Sequence, residues 1–436
     1  MAPADVETIP QQDLYALQTE RLGSLLSRLR TSEAPYWRAK LASLPDSASA
    51  AVRLEDLAGL PFTTKYEFRE TYPYGMVALP LSDVVRVHAS SGTSGKPTIV
   101  AYSAADIGIF AEVNARSLAC AGADSADIVH VAYGYGLFTG GLGLHYGVER
   151  LGAVAVPASG GNVLFQVGLI ADLGATGLAC TPSFSLLLAE RAAELGVLEA
   201  VRLRWGIHGA EPWSEGLRTK IEAAWGGRFD ACDIYGLSEV IGPGVAAECR
   251  ENKGGMHVME DHFFPEIVNP ITGEPVADGE PGELVLTTLT KQAQPVLRYR
   301  TGDITRLLPG GCRCGRVTRR MGRLEGRSDD MLIIRGVNVY PRQIESVLMS
   351  DPDVAGQFVI MVDERGTLAE ATAKVELRPA AVADAATVAT RLEKHVADAL
   401  RVRIGVEVGE PGSVPRTELG KAQRVFHRSG DDESSA

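Results

Sequence analysis

The chain has 436 residues, 45% apolar and 22% charged, with a mean hydropathy of +0.02, values that exclude a mostly disordered or fibrous protein. At about 100 to 200 residues per domain, this length suggests two to four domains, or one large domain and a smaller one. Acidic residues outnumber basic ones 55 to 43, and the net charge of −12 argues against nucleic acid or an anionic membrane as the main partner.

Asp5, Glu7, Asp13 and Glu20 interrupt the first 30 residues, so no signal or transit peptide is visible and the cytoplasm is the expected compartment. From about 10 to 45, Leu14, Leu17, Leu22, Leu25, Leu26 and Leu29 recur at helical spacing and predict an amphipathic helix. From about 85 to 300, short β-branched runs (Val84 to Val87, Ile128 to Ala132, Ala153 to Val156, Gly177 to Cys180, Leu203 to Ile207) alternate with Ala- and Leu-rich stretches. That alternation predicts an α/β core with largely parallel strands. The uncharged stretches Val129 to Val148 and Leu151 to Ala171 are too rich in Gly and polar residues to be membrane spans. Between about 264 and 310, Pro- and Gly-punctuated runs (Pro265 to Val268, Gly282 to Thr288, Val296 to Tyr299) predict a β-rich subdomain with antiparallel pairing.

Gly326 to Asp330 are small and polar and form a plausible boundary. A strand (Met331 to Ile334), a Gly-Val-Asn turn and a helix opening at Pro341 follow, then two strand-like runs (Gln357 to Val362, Ala371 to Leu377) and a helix (Val388 to Leu400). This predicts two units: an N-terminal core over 1–325 and a small α+β domain over 331–436, joined by 326–330. The tail from Asp431 to Ala436 is expected to be disordered.

The densest chemical signal is Ser90-Ser91-Gly92-Thr93-Ser94-Gly95-Lys96-Pro97-Thr98. Five hydroxyls, bare backbone N–H groups and one ammonium suit a polyphosphate. The run is not a Walker A loop, because Ser90 stands where the first Gly belongs and Pro97 follows the lysine. The strand-like Thr98 to Tyr102 makes it the loop of a hairpin.

Later segments then appear in order: Ile234-Tyr235-Gly236-Leu237-Ser238-Glu239, Tyr299-Arg300-Thr301-Gly302-Asp303, Gly326-Arg327-Ser328-Asp329-Asp330 running to Pro341, and Gly420-Lys421-Ala422-Gln423-Arg424-Val425. With the loop at 90 to 98 they resemble the adenylate-forming superfamily of acyl-CoA ligases and adenylation domains. The runs from Ala132 to Gly141 and from Gly209 to Trp213 are similar to the phenylacetate-CoA ligase branch. This resemblance implies a large adenylate-forming N-terminal domain and a small mobile C-terminal domain. It also implies a two-step reaction, in which a carboxylate attacks ATP to give an acyl-adenylate and pyrophosphate, and a thiol then displaces AMP. It places Lys421 at the carboxylate and α-phosphate and Mg²⁺ near Glu239, and Ser90 to Lys96 around the outer phosphates. Gly209, Ala210, Glu211 and Pro212 would line the adenine, with Asp233, Tyr235, Gly236 and Ser238 beside it. Asp303 would take the ribose hydroxyls, with Arg327 assisting. Asp329 would be the hinge about which the small domain turns between the steps. Coenzyme A is the expected thiol, with a carrier-protein thiol as the alternative acceptor and a non-catalytic nucleotide-binding protein as the remaining one. A homodimer is expected from the branch.

Tyr133, Tyr135, Phe138 and Gly140 combine rings with little other side-chain volume, which suits a flat aryl acid. His208 stands where phenylacetate enzymes usually carry Phe. The branch implies an aryl or arylacetic acid, and an imidazole can bond a ring hydroxyl or amino group, so a substituted benzoate stands beside an arylacetate as the expected acid, with plain phenylacetate disfavoured. Finally, Cys249, His257, Cys312 and Cys314 supply three thiols and an imidazole suited to a closed tetrahedral Zn²⁺ site, with His262 as the rival fourth ligand.

Overall fold

The computed structural model describes residues 5–42, 53–90, 97–328, 330–365, 368–417 and 422–428. Its centre is a nine-stranded sheet in the spatial order Leu307–Leu308, Arg320–Met321, Asn252–Val258, Gly242–Cys249, Asp230–Leu237, Trp205–Gly209, Gly177–Cys180, Ile128–Val131, Val154–Pro157. The last five run parallel and the others antiparallel. The parallel strands are joined by helices such as Thr139–Leu151 and Pro182–Glu194, as crossovers in a parallel sheet require.

The N-terminal helix Gln11–Thr31 buries Leu14, Leu22, Leu25, Leu26 and Leu29, but Gln18 rather than Leu17 completes its inner stripe. The Gln18 amide donates to the Glu260 carbonyl at 2.9 Å, which accounts for a polar residue on that face.

Beside this sheet lies the expected antiparallel one, with four strands in the order Phe263–Val268, Gly282–Thr288, Tyr299–Thr305, Gly326–Arg327. The strand expected to start at Val296 starts only at Tyr299, because Arg298 takes a left-handed φ of 47°. Its guanidinium is held by Glu266 at 2.9 Å and by the Leu60 carbonyl at 2.9 Å.

Val84–Ser90 and Thr98–Ser103 pair antiparallel with Ser90 opposite Thr98, so the loop does close a hairpin. Among the described residues the outer edge of the second strand meets no further strand. Instead the Gln294 side chain accepts from Ala101 N at 2.8 Å and donates to Ile99 O at 3.1 Å.

In the C-terminal unit, Leu332–Ile334 pairs with Val337–Val339, so Val337 and Asn338 are strand rather than turn. Arg335 and Gly336 take φ of 51° and 82°, the double left-handed requirement of a tight hairpin turn. A four-stranded sheet follows in the order Gly405–Gly409, Glu370–Leu377, Val354–Asp363, Val425–Arg428, packed by the helices Pro341–Met349 and Ala385–Leu400. Its outer two strands carried no readable pattern in the sequence. Among the described residues no helix is long and apolar enough to cross a membrane.

Candidate active site

Several of the expected site residues meet near the ends of the parallel strands. Tyr235, near the end of Asp230–Leu237, donates its hydroxyl to Asp303 Oδ2 at 2.6 Å, and Arg327 holds Asp303 Oδ1 at 2.7 Å. Asp303 and Arg327 face each other across adjacent strands, and the Asp303 N–H bonds Thr301 Oγ1 at 3.0 Å. The carboxylate that the resemblance assigns to ribose is thus held at both oxygens, and its backbone is fixed by Thr301. Burial and the neighbouring Asp303 raise the Tyr235 phenol far above its usual range, so it stays a donor.

The strand Trp205–Gly209 ends in Ala210, held at a left-handed φ of 67°. Such strain in a residue with a side chain marks a position the surroundings over-determine. Gly209 has no room for a side chain because the Ile234 carbonyl occupies it, and its N–H donates to the Tyr133 hydroxyl at 2.8 Å. The Tyr133 hydroxyl is therefore committed to backbone. Glu211 accepts from Ser183 Oγ at 2.9 Å and from Ala422 N at 2.6 Å, so the chain immediately after Lys421 is held at the expected nucleotide site.

Glu239 is buried beside Lys65, 3.9 Å from its Oε1. Behind it, the fully enclosed Lys291 reaches the Glu239 carbonyl at 3.5 Å and the Tyr102 ring at 4.7 Å. Sequence reasoning missed both lysines. The signal for Lys291 was a lone charge in an otherwise uncharged run from Leu284 to Val296. Glu239 supplies a hard carboxylate oxygen of the kind Mg²⁺ takes together with substrate phosphates. Ser238 shares a hydroxyl contact with Thr139 at 3.3 Å, and Gly236 sits where the Gly242 carbonyl leaves no space for a side chain. Asp233 is buried, and desolvation with the neighbouring Glu248 pushes its carboxyl up to about 7. Ser91, Gly92, Thr93, Ser94, Gly95, Lys96, Asp329 and Lys421 lie outside the described residues.

Of the expected aryl contacts, Tyr135 and Phe138 are half-buried, with the Tyr135 hydroxyl 3.3 Å from His145 Nδ1 and the Phe138 ring over Gly140. His208 is placed differently. It is fully buried, with Nδ1 at 3.1 Å from the Cys180 carbonyl and its ring against Trp213 and Phe229 at 5.7 and 5.8 Å. Neighbouring Ile207 packs with Tyr133 in a different cluster, as alternation along a strand demands. The imidazole thus belongs to the core, and desolvation pushes its pKa down to about 4, so it stays neutral.

Cys249, His257, Cys312 and Cys314 bring their ligand atoms within 4.8 Å of one another. Cys249 Sγ is 3.5 Å from Cys312 Sγ, and Cys314 Sγ is 3.3 Å from His257 Nε2. A tetrahedral Zn²⁺ with bonds of about 2.3 Å to sulfur separates two thiolates by about 3.8 Å, so the donor set fits that ion. His257 Nδ1 donates to the Thr318 carbonyl at 3.2 Å, which leaves Nε2 as the metal-facing nitrogen. His262 lies elsewhere, beside Asp261 at 3.1 Å. The Arg116 guanidinium pairs with Asp261 at 3.0 and 3.2 Å, so that cluster is an ion-pair network.

A buried carboxylate clamped by Tyr235 and Arg327, with a C-terminal unit packed on the core, is the arrangement expected of an adenylate-forming enzyme. The family model for AMP-binding enzymes matches residues 28–289, and that for the AMP-binding enzyme C-terminal domain matches residues 336–429. The chain is 46% identical to a phenylacetate-coenzyme A ligase of Thermus thermophilus over 98% of this chain and 99% of that one. It is 47% identical to a phenylacetate-coenzyme A ligase of Escherichia coli over 97% and 96%. A crystal structure of 2-hydroxyisobutyryl-CoA ligase in the postadenylation state with 2-HIB-AMP superposes with a TM-score of 0.90 at 29% identity, covering 98% of this chain and 94% of that one. The same ligase in the thioesterification state gives 0.72 over the same coverage. The chain belongs to the phenylacetate-CoA ligase-like branch of the AMP-binding enzymes and is an AMP-forming CoA ligase.

Proposed function

We propose that this ligase activates an arylacetic acid, with phenylacetate as the leading candidate, and delivers it to coenzyme A. The observation that carries the choice of acid is the core position of His208. Its ring bonds the Cys180 backbone and packs on Trp213 and Phe229, which supports an acid that needs no polar ring contact there. The full-length identity to phenylacetate-coenzyme A ligases supports the same reading.

In the first step the acid's carboxylate oxygen attacks the α-phosphorus of ATP and the bond to the β-phosphate oxygen breaks, releasing pyrophosphate. In the second a thiol attacks the adenylate carbonyl and AMP leaves with the bonding pair. Two anions meet in the first step, so positive charge must lie between them. Lys421 takes that role, and Asp303, oriented by Tyr235 and Arg327, holds the ribose. Mg²⁺, when bound at Glu239, neutralises phosphate charge. The half-buried rings of Tyr135 and Phe138 supply flat apolar surface for the aryl group. Asp329 serves as the pivot between the steps, within the connection at 326–330. The four residues Cys249, His257, Cys312 and Cys314 would hold a structural Zn²⁺ that ties the loop bearing Cys312 and Cys314 to the central sheet.

The deciding experiment is pyrophosphate release with ATP and Mg²⁺ across phenylacetate, benzoate, salicylate and anthranilate, with and without coenzyme A. Phenylacetate should give the highest kcat/KM and a coenzyme A thioester. A substituted benzoate ranking first would overturn the choice of acid. Adenylate formation with no thioester would move the acceptor to a carrier-protein thiol.

A further inference from the structure

The C-terminal unit docks on the core through a close approach of two backbones. The helix Glu215–Ala224 of the core meets the end of the helix Pro341–Met349 and the strand Val354–Asp363. A Cβ added at Gly216 would lie 2.5 Å from the Met349 carbonyl oxygen, 2.6 Å from its carbon and 2.9 Å from its Cβ. Across the same interface a Cβ at Gly356 would overlap Leu186 Cδ2 and lie 3.2 Å from Leu217 Cδ1. Each unit thus contributes one glycine whose missing side chain is replaced by the other unit.

Neither glycine is among the residues at positive φ, so neither is required by backbone conformation. Gly216 sits in the first turn of its helix, where alanine is the better helix former. The glycines are explained by the docked arrangement alone. That arrangement is the one in which Ser214 N donates to Glu345 Oε1 at 3.1 Å, Lys220 donates to the Asp351 carbonyl at 3.1 Å, and Ala422 N reaches Glu211. It matches the postadenylation state of 2-hydroxyisobutyryl-CoA ligase at a TM-score of 0.90 and its thioesterification state at 0.72.

We propose that Gly216 and Gly356 are positioning residues for adenylate formation, acting by letting the C-terminal unit close onto the core, and that thioester formation does not need them. The inference rests on the two-step reading above. A side chain at Gly216 meets rigid backbone, whereas one at Gly356 meets the tip of a leucine that can turn aside. Blocking is therefore stronger at Gly216.

The test uses the full chain and measures both half-reactions separately. ATP–pyrophosphate exchange reports the first, and thioester formation from supplied phenylacetyl-adenylate and coenzyme A reports the second. Gly216→Ala and Gly216→Val should lower exchange by about ten- to hundredfold, with unchanged thioester formation, which also shows that the variants fold. Gly356→Ala should lose less, and Leu186→Val in the same chain should restore it by withdrawing the clashing methyl. Equal loss in both half-reactions, or exchange at the parent rate in Gly216→Val, would overturn the proposal. Failure of the two-step reading shows separately, as a parent enzyme without exchange.

Discussion

The phenol of Tyr235 donates to Asp303 Oδ2 across 2.6 Å, and this bond ties a parallel strand of the nine-stranded sheet to a strand of the separate four-stranded sheet. The two residues are 68 positions apart in the chain. The geometry of the candidate nucleotide site therefore depends on how the two sheets are packed, as well as on each motif.

Asp303→Asn keeps the shape but removes the charge that Arg327 and Tyr235 orient. A charge-assisted hydrogen bond contributes about 1.5 to 3 kcal/mol, so KM for ATP in pyrophosphate exchange should rise by roughly ten- to hundredfold. Tyr235→Phe, which loses one neutral donor, should cost less than tenfold. A larger effect from the tyrosine would mean that the phenol itself contacts substrate.

His208→Phe should leave the ranking of acids as it is in the parent. The ring is enclosed, and His208 Nε2 is buried with no hydrogen-bond partner among the described residues, so its loss is offset by removal of an unsatisfied polar atom. Stability should change by less than about 1.5 kcal/mol. Substrate competition assays and thermal melts check the two halves.

Zinc content should be one ion per chain by elemental analysis. Cys312→Ser or prolonged chelation should lower the melting temperature by several degrees, because a closed structural site contributes to folding. The rate per folded molecule at low temperature should hold. Loss of rate without loss of stability would instead place the metal in the chemistry.

Burial raises the Glu345 carboxyl from 4.5 to about 7 in the docked arrangement, while Arg342, the Ser214 N–H and Arg424 pull it back. Released into solvent, it returns to the ordinary carboxylate range. The docked state therefore holds more protons between about 4.5 and 7, so this contribution to docking is complete below that window and is lost as pH rises through 7. Glu345→Gln should flatten the pH profile of pyrophosphate exchange between pH 5 and 8 relative to the parent. Asp233 titrates near the same value, so the difference between the two profiles is the readout.

Local chemistry made much of this legible in the sequence. The hairpin at Ser90 and Thr98, the parallel strands and the order of motifs each leave a short-range signature in residue type or period. What the sequence did not disclose depends on contacts between distant segments. His208 reads as a polar substitution in a motif, and only the neighbouring Cys180 strand, Trp213 and Phe229 show that it faces the core. Lys291 gains meaning from Glu239 and Tyr102, and the strands Gly405–Gly409 and Val425–Arg428 exist because the neighbouring strands offer them edges. Gly216 reads as an indifferent residue in a helix until Met349 is set against it.

Gln294 has a consequence for solubility. The exposed flank of a two-stranded hairpin is a template on which another molecule's strand can grow. Here one amide fills both positions, Ala101 N and Ile99 O, that such an intruder would need first. Val100, Ala101 and Tyr102 are fully enclosed as well, so this hairpin offers no open edge there for intermolecular strand addition although it is not built into a larger sheet.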